Sequence, residues 1–258
     1  MLVKQPNPNR NNVQITLWEQ KFKTMKNELL QFAVDDNIEW CTTVCQSHQA
    51  DIHLSKSAWL NRKPSPRYYP DIITREPQAQ AATLKAIDQF RTHNPTRGLG
   101  VKDSYGDIDL KPQGFSCVLT GEWYGGHLPS SKQITSNDWQ TVQSTDELEQ
   151  WEIAWGGDTD NRIFKSILLF NPRIKFWFFR ENGNIHSGFI SFHSGKNIGI
   201  SNWFAPKDSI FELSLSKNIA PYFGTLPIVY WLAENEEINL GTTASPLGSM
   251  RVWIIPNA

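Results

Sequence analysis

The chain is short of cysteine, balanced in charge and free of long apolar runs, and it lacks the glycine motifs of nucleotide and acyl-enzyme chemistry. Each shortage closes a class of function. Its three cysteines, Cys41, Cys45 and Cys117, cannot all pair, and 258 residues bury enough surface to fold without disulfides or metal. A reducing compartment, the cytoplasm, is the expected setting. No Cys/His set repeats at zinc-ligand spacing, so no metal is expected. Cys41 and Cys45 fall four apart on one helix face with His48 a turn beyond, and buried packing is the commoner role for such thiols.

Lys and Arg number 25 against 26 Asp and Glu, a net charge of −1. That balance offers no global field to hold nucleic acid or an anionic membrane. The most apolar stretch, 166–179, is broken by Asn171, Pro172, Arg173 and Lys175, so a membrane span is not expected. Residues 1–16 are polar and carry two prolines, and read as a flexible lead-in rather than a signal peptide. Gly195-Lys196-Asn197 lacks the upstream glycine spacing of a P-loop, which excludes that ATP chemistry. No Gly-x-Ser-x-Gly elbow anchors a hydrolase triad.

Aromatics are plentiful: eleven tryptophans point to a ring-packed core or ring-lined pockets. Over 17–48, Phe22, Met25, Leu29, Leu30, Phe32, Ala33, Ile38 and Trp40 fall mostly three and four apart. The polar run Val34-Asp35-Asp36-Asn37 interrupts them, which predicts two short helices. Pro64, Pro66 and Pro70 keep the next segment extended. A helix is expected over 78–90, started by Pro77 and stopped by His93-Asn94-Pro95. A strand over 99–104, a single helical turn over 106–111 and an alternating strand over 115–123 follow. Residues 125–140 have linker composition and place a boundary at 127–140.

Ser144 and Glu147 are spaced as a capping box. Asn182-Gly183 is the strongest hairpin signal, and with the turn at 194–197 it predicts three consecutive antiparallel strands over 174–204. A helix starting between Pro206 and Phe211, a buried strand over 227–232 and a last strand over 248–255 complete the order. His186 and His193, seven apart on one strand, face opposite ways and make no two-His metal site.

The runs NGNIHSGFISFHSGKNIGISNWFAP, LPIVYWLAENEE and LGSMRVWII resemble the strand-four to strand-six region of an uncharacterised group of GNAT N-acetyltransferases. GISNWF and LGSMRVW are the most specific parts, and the likeness covers 141–258. Residues 17–126 resemble a more degenerate copy of the same unit, which implies a tandem pair; the alternative is one enlarged domain. The implied fold is α/β (α+β), a mixed sheet with an antiparallel meander.

The implied activity is transfer of an acetyl group from acetyl-CoA to an unknown small amine. In that family the strand splays from its neighbour and the next helix turns its N-terminus to the pyrophosphate, where free N–H groups and the dipole favour an anion. The corresponding residues are Asn202, Trp203, Phe204, Ala205, Lys207, Ser209 and Ile210. The family's glycine-rich turn is absent there; Asp208 would have to cap the helix, and Lys207 supplies a positive charge. Tyr230 stands near the place of the acid that protonates the leaving thiol, and Glu234, with Glu236 and Glu237 beside it, is the base candidate. Asp103 and Glu122 flank the first half's closing strands. The alternative function is a non-catalytic module holding a ligand or partner in an aromatic cleft of Trp203, Phe204, Trp231 and Trp253.

Overall fold

A computed structural model describes residues 8–128, 139–206, 218–238 and 243–257. The helix α1 (Pro8–Ser47) opens the chain and starts inside the segment expected as a lead-in. The strands β1 (Ile52–Leu54), β2 (Ala58–Asn61) and β3 (Ile72–Thr74) follow, then the helix α2 (Gln80–His93), β4 (Leu99–Asp103) and β5 (Ser116–Gly126). After β6 (Gln140–Thr141) come α3 (Thr145–Trp155), β7 (Ile174–Glu181), β8 (Asn184–His193), β9 (Ile198–Phe204), α4 (Ile219–Phe223), β10 (Ile228–Ala233) and β11 (Ser245–Ile255). Among these helices none is long and apolar enough to cross a membrane.

The strands form one mixed sheet in the order β1-β2-β3-β4-β11-β5-β10-β9-β8-β7-β6. The second half's last strand, β11, pairs with β4 of the first half, and the first half's last strand, β5, pairs with β10 of the second. β3 and β4 run parallel, as do β9 and β10, while the strands between them are antiparallel. The order is therefore nearly symmetric about the central β11–β5 pair.

The expected meander is present as β7, β8 and β9. Its first turn uses left-handed backbone at Asn182 (φ 50°) and Gly183 (φ 84°), the geometry that a two-residue hairpin of matching twist requires. Ser144 caps α3 as its sequence predicts, its Oγ accepting the Glu147 N–H at 3.2 Å, while Glu147 Oε2 accepts not the Ser144 N–H of a capping box but the Gln143 N–H one residue earlier, at 2.8 Å. Ser144→Ala should cost about 1 kcal/mol, read from the shift of a urea melt; no shift would mean the cap is idle.

Two expectations are corrected. The stretch 17–48 is one helix, with no break at Asp35 or Asp36: the run contains no Gly or Pro, and its polar groups are used. Val34 is fully buried, Asp36 is bonded to Asn197, and Asn37 to Lys102. The turn expected over 106–111 is irregular until a short 3-10 turn at Lys111–Gln113, because the buried Asp103 carboxylate accepts the Tyr105 and Ile108 N–H groups and holds the chain off a helical path. The helix start expected at 206–211 falls mostly outside the described residues.

Helices cover both faces. α1 lays Ala33, Val34, Ile38, Cys41 and Cys45 against Trp59, Ile73, Trp123 and Val229 in the middle of one face. α3 extends that face, packing Leu148 and Trp151 on Phe176, Phe178, Ile190 and Phe192. On the opposite face α2 covers Leu60, Ile72 and Val101 at one end, and α4 covers Phe189, Ile198 and Ile228 at the other. α1 lies close to the sheet because glycine stands beneath it: a Cβ on Gly125 would come within 2.6 Å of Leu29.

Candidate functional site

The parallel ladder between β9 and β10 consists of only two pairs, Ile228↔Ile198 and Val229↔Gly199. Beyond them each strand stays with its other neighbour, β9 with β8 as far as Phe204 and β10 with β5 as far as Ala233. The two strands therefore diverge. A bulge helps: between Gly188↔Phe204 and Ile190↔Ser201, β9 carries one residue more than β8, and Asn202 in it takes a positive φ of 51°. Bulges bend the strand that contains them and strengthen its twist.

The cleft so opened spans about 300 Å³ of empty space, part of it open solvent. Gly199, Ile200, Ser201, Val229, Tyr230 and Trp231 line it, and α1 adds Ala33, Asp36, Asn37 and Trp40. Ile200 and Tyr230 belong to the core on the α4 face, Val229 to that on the α1 face.

One charged side chain, Asp36, lines its α1 end, and a second, Lys102, is buried against Asn37; each is 5% exposed. Asp36 rests on Gly199, and its Oδ1 accepts from Asn197 Nδ2 at 2.9 Å. Burial pushes its carboxyl well above the usual carboxylate range, against the opposing pull of the Asn197 bond and the Arg173 charge. Lys102, from β4, donates from Nζ to Asn37 Oδ1 at 2.9 Å and lies 4.7 Å and 4.9 Å from the ring centres of Trp123 and Trp231. Burial lowers its ammonium from 10.5 to about 8, with the nearby Cys41 acting weakly the other way. Among the described residues no cation is ion-paired with Asp36 and no carboxylate with Lys102.

The residues named from sequence are distributed unevenly around this cleft. Tyr230 lines it, stacked on Tyr124 with ring centres 5.5 Å apart. Asn202, Trp203, Phe204 and Ala205 follow on β9 and just past it, with Phe204 packed edge-on against Trp151 at 5.2 Å. Lys207, Ser209 and Ile210 lie outside the described residues. Glu234 sits in the turn after β10, where its backbone and carboxylate bond Thr120 of β5, and it does not line the cleft. Glu122 pairs opposite Leu232 along β5, and Asp103 pins its own loop.

The proposed aromatic cleft does not assemble. Trp231 lines the opening, Trp203 joins the α4-side core, Phe204 the α3-side core, and Trp253 is buried under α2. Strand alternation and sheet position send these rings to different layers. His186 pairs with Glu181 while His193 lies against Tyr222. His48 bonds the Ile163 carbonyl at 2.7 Å. No cluster of three or more His, Cys, Asp or Glu among the described residues is placed to hold a metal ion.

Asp36, Asn37 and Lys102 are the groups that reading the sequence missed. A signal existed for two of them: Asp36 precedes the buried Trp40 by four residues and Asn37 precedes the buried Cys41 by four, so both lie on the core stripe. Lys102 carried none, since a strand covered on both faces gives no alternation to violate.

No family model matches the chain, and no curated protein matches its sequence. Solved structures do match. A conserved protein of unknown function from Staphylococcus epidermidis superposes with a TM-score of 0.57 at 13% identity, over 81% of this chain and 95% of that one. A GCN5-related N-acetyltransferase from Kribbella flavida gives 0.57 at 13% identity, over 86% of this chain and 96% of that one. The chain has the GNAT-like fold.

Proposed function

We propose that the protein is an N-acyltransferase that moves an acetyl group from acetyl-CoA to a small amine in the cleft between β9 and β10. The observation that carries this reading is the parting of two parallel strands after Gly199 and Val229, with a buried carboxylate at one mouth. The residues fit the donor's arm: a strand leaving its ladder gives an amide-bearing chain a backbone edge to lie along. Ligands in open α/β sheets also favour the carboxyl ends of strands. The pyrophosphate end would fall to Lys207, Ser209 and Ile210, which lie outside the described residues.

Acetyl-CoA, when bound, supplies an activated thioester. Asp36 accepts the proton of the incoming ammonium, and the burial that raises its pKa makes it the stronger base. The freed amine attacks the thioester carbonyl, the C–S bond breaks, and the Tyr230 hydroxyl protonates the departing thiolate and recovers the proton that the new amide nitrogen sheds. α1 shields the amine end from water, since Asp36, Asn37 and Trp40 all come from it. The halves 17–126 and 141–258, joined through 127–140, are on this reading degenerate copies of one unit that exchanged their last strands, as the near-symmetric strand order supports. A reducing cytoplasm keeps the thiols free.

Calorimetry should show coenzyme A binding in the micromolar range, about 8 kcal/mol. Asp36→Asn should leave that affinity unchanged and lower the transfer rate by about a hundredfold or more. The wild-type rate should rise with pH through the raised Asp36 pKa, since only the carboxylate accepts a proton. Absence of binding at millimolar coenzyme A would end the enzyme reading. A specific feature favours a second one: Asp36 seated on Gly199 holds α1 across the cleft, as a module that binds a small ligand without turning it over would need.

A further inference from the structure

The helix α1 begins at Pro8, well before Leu29, the first of its described side chains to join a core. Residues 8–28 make about 30 Å of helix. Of the described side chains in that stretch none is buried, and Met25 is 57% exposed. Helices in proteins draw most of their stability from packing an apolar face, and the sequence here supplies one. Ile15, Trp18, Phe22, Met25, Leu29 and Phe32 fall alternately three and four apart, the a and d positions of a coiled-coil seam. Between them every residue is polar except Leu17 and Leu30. The sheet takes a different side of α1. Leu29 and Leu30 meet Gly125 and Gly248, and Ala33 and Val34 are buried beyond them, which centres the sheet-facing side about a quarter turn from the seam. Leu29 stands where the two sides meet.

We infer that this seam is covered by the same helix of a second copy of the chain, running in the opposite direction. The charges that flank the seam choose both the partner and its direction. Glu19 and Lys26 stand at e positions, Lys21 and Glu28 at g positions, the places from which coiled coils read one another. Two copies running the same way would set each g against the following e, and Lys21 would oppose Lys26 of the partner subunit. Running oppositely, e lies beside e and g beside g. With Phe22 layered on Met25 of the partner subunit and Trp18 on Leu29 of the partner subunit, Glu19 faces Lys26 of the partner subunit. On the other flank Lys21 faces Glu28 of the partner subunit. Both pairings are attractive, and the two-fold axis of such a dimer repeats each of them. The surface is thus complementary to itself in one direction and repelled in the other.

Sedimentation equilibrium on the full chain tests this. A monomer–dimer equilibrium with a dissociation constant in the micromolar range is expected. Met25→Glu, which puts a charge into the seam, should weaken the dimer about a hundredfold or more. Lys26→Glu should weaken it about tenfold, since Glu19 then meets a like charge on both sides of the axis. Adding Glu19→Lys to Lys26→Glu should restore the wild-type constant, a rescue that a folding defect would not show. A chain that stays monomeric up to the millimolar range would overturn the inference and leave the seam to a different helix. A dimer indifferent to Met25→Glu would overturn it too, by placing the contact elsewhere. So would a dimer that Lys26→Glu strengthens, because that substitution removes the lysine clash of two parallel helices.

Discussion

Gly199→Ala is expected to destabilise the protein by about 3 kcal/mol and to lift α1 off the β9–β10 cleft. A Cβ at this position would lie 1.8 Å from Asp36 Oδ2 and 2.7 Å from Asp36 Cγ, far inside contact distance. The carboxylate cannot simply swing aside, because Asn197 holds it, and α1 is fixed on either side by the buried Val34 and Trp40. Overpacking of a well-filled site costs about 1–3 kcal/mol, occasionally more, and a clash between a rigid strand and a packed helix belongs at the upper end. The Asp36→Ala background removes the obstructing atoms, so Gly199→Ala should there cost less than about 1 kcal/mol. A double-mutant cycle by urea denaturation measures the difference, which should reach about 2 kcal/mol of coupling. Equal losses in the two backgrounds would show that Asp36 does not rest on Gly199, and the site as described would fall with it.

The same contact shows where sequence reading stops. The hairpin at Asn182-Gly183 was legible because a two-residue turn demands left-handed backbone and those residues accept it. The cap of α3 was legible because its donors and acceptors lie within four residues. Asp36 and Asn37 defeat sequence reading because polarity inside an apolar period looks like an interruption; their partners Asn197, Gly199 and Lys102 lie far along the chain and leave no local trace. The insertion of β11 between β4 and β5 was illegible for the same reason. Tyr230 lines the cleft with the strand that carries it, whereas Glu234, near it in sequence, is turned toward Thr120. The parting of β9 from β10 was expected from the family resemblance, but the Asp36 charge at its end came only from the packing of α1 on the sheet.

Lys102→Met is expected to stabilise the protein at pH 7 by removing a buried cation. Burial lowers the Lys102 pKa from 10.5 to about 8, and a gap of that size corresponds to about 3 kcal/mol of penalty on the charged form. Methionine matches the stem in length and adaptability and carries no charge. It leaves the Asn37 carbonyl without the Nζ donor, which takes back about 1 kcal/mol, so the net gain should be about 2 kcal/mol. The pH dependence identifies the cause. Below pH 8 both folded and unfolded chains hold the lysine proton and the penalty is present in full. Between pH 8 and 10.5 the unfolded chain binds more protons than the folded one, so wild-type stability gains with rising pH from this group and the penalty fades. The methionine protein has no such term, and the tyrosines and cysteines that titrate in the same range are common to both proteins. Urea melts of the pair at pH 7 and pH 10 should therefore show an advantage for Lys102→Met that shrinks as the pH is raised. A variant less stable than wild type at pH 7, or an advantage independent of pH, would mean that the Trp123 and Trp231 rings and Asn37 already compensate the ammonium.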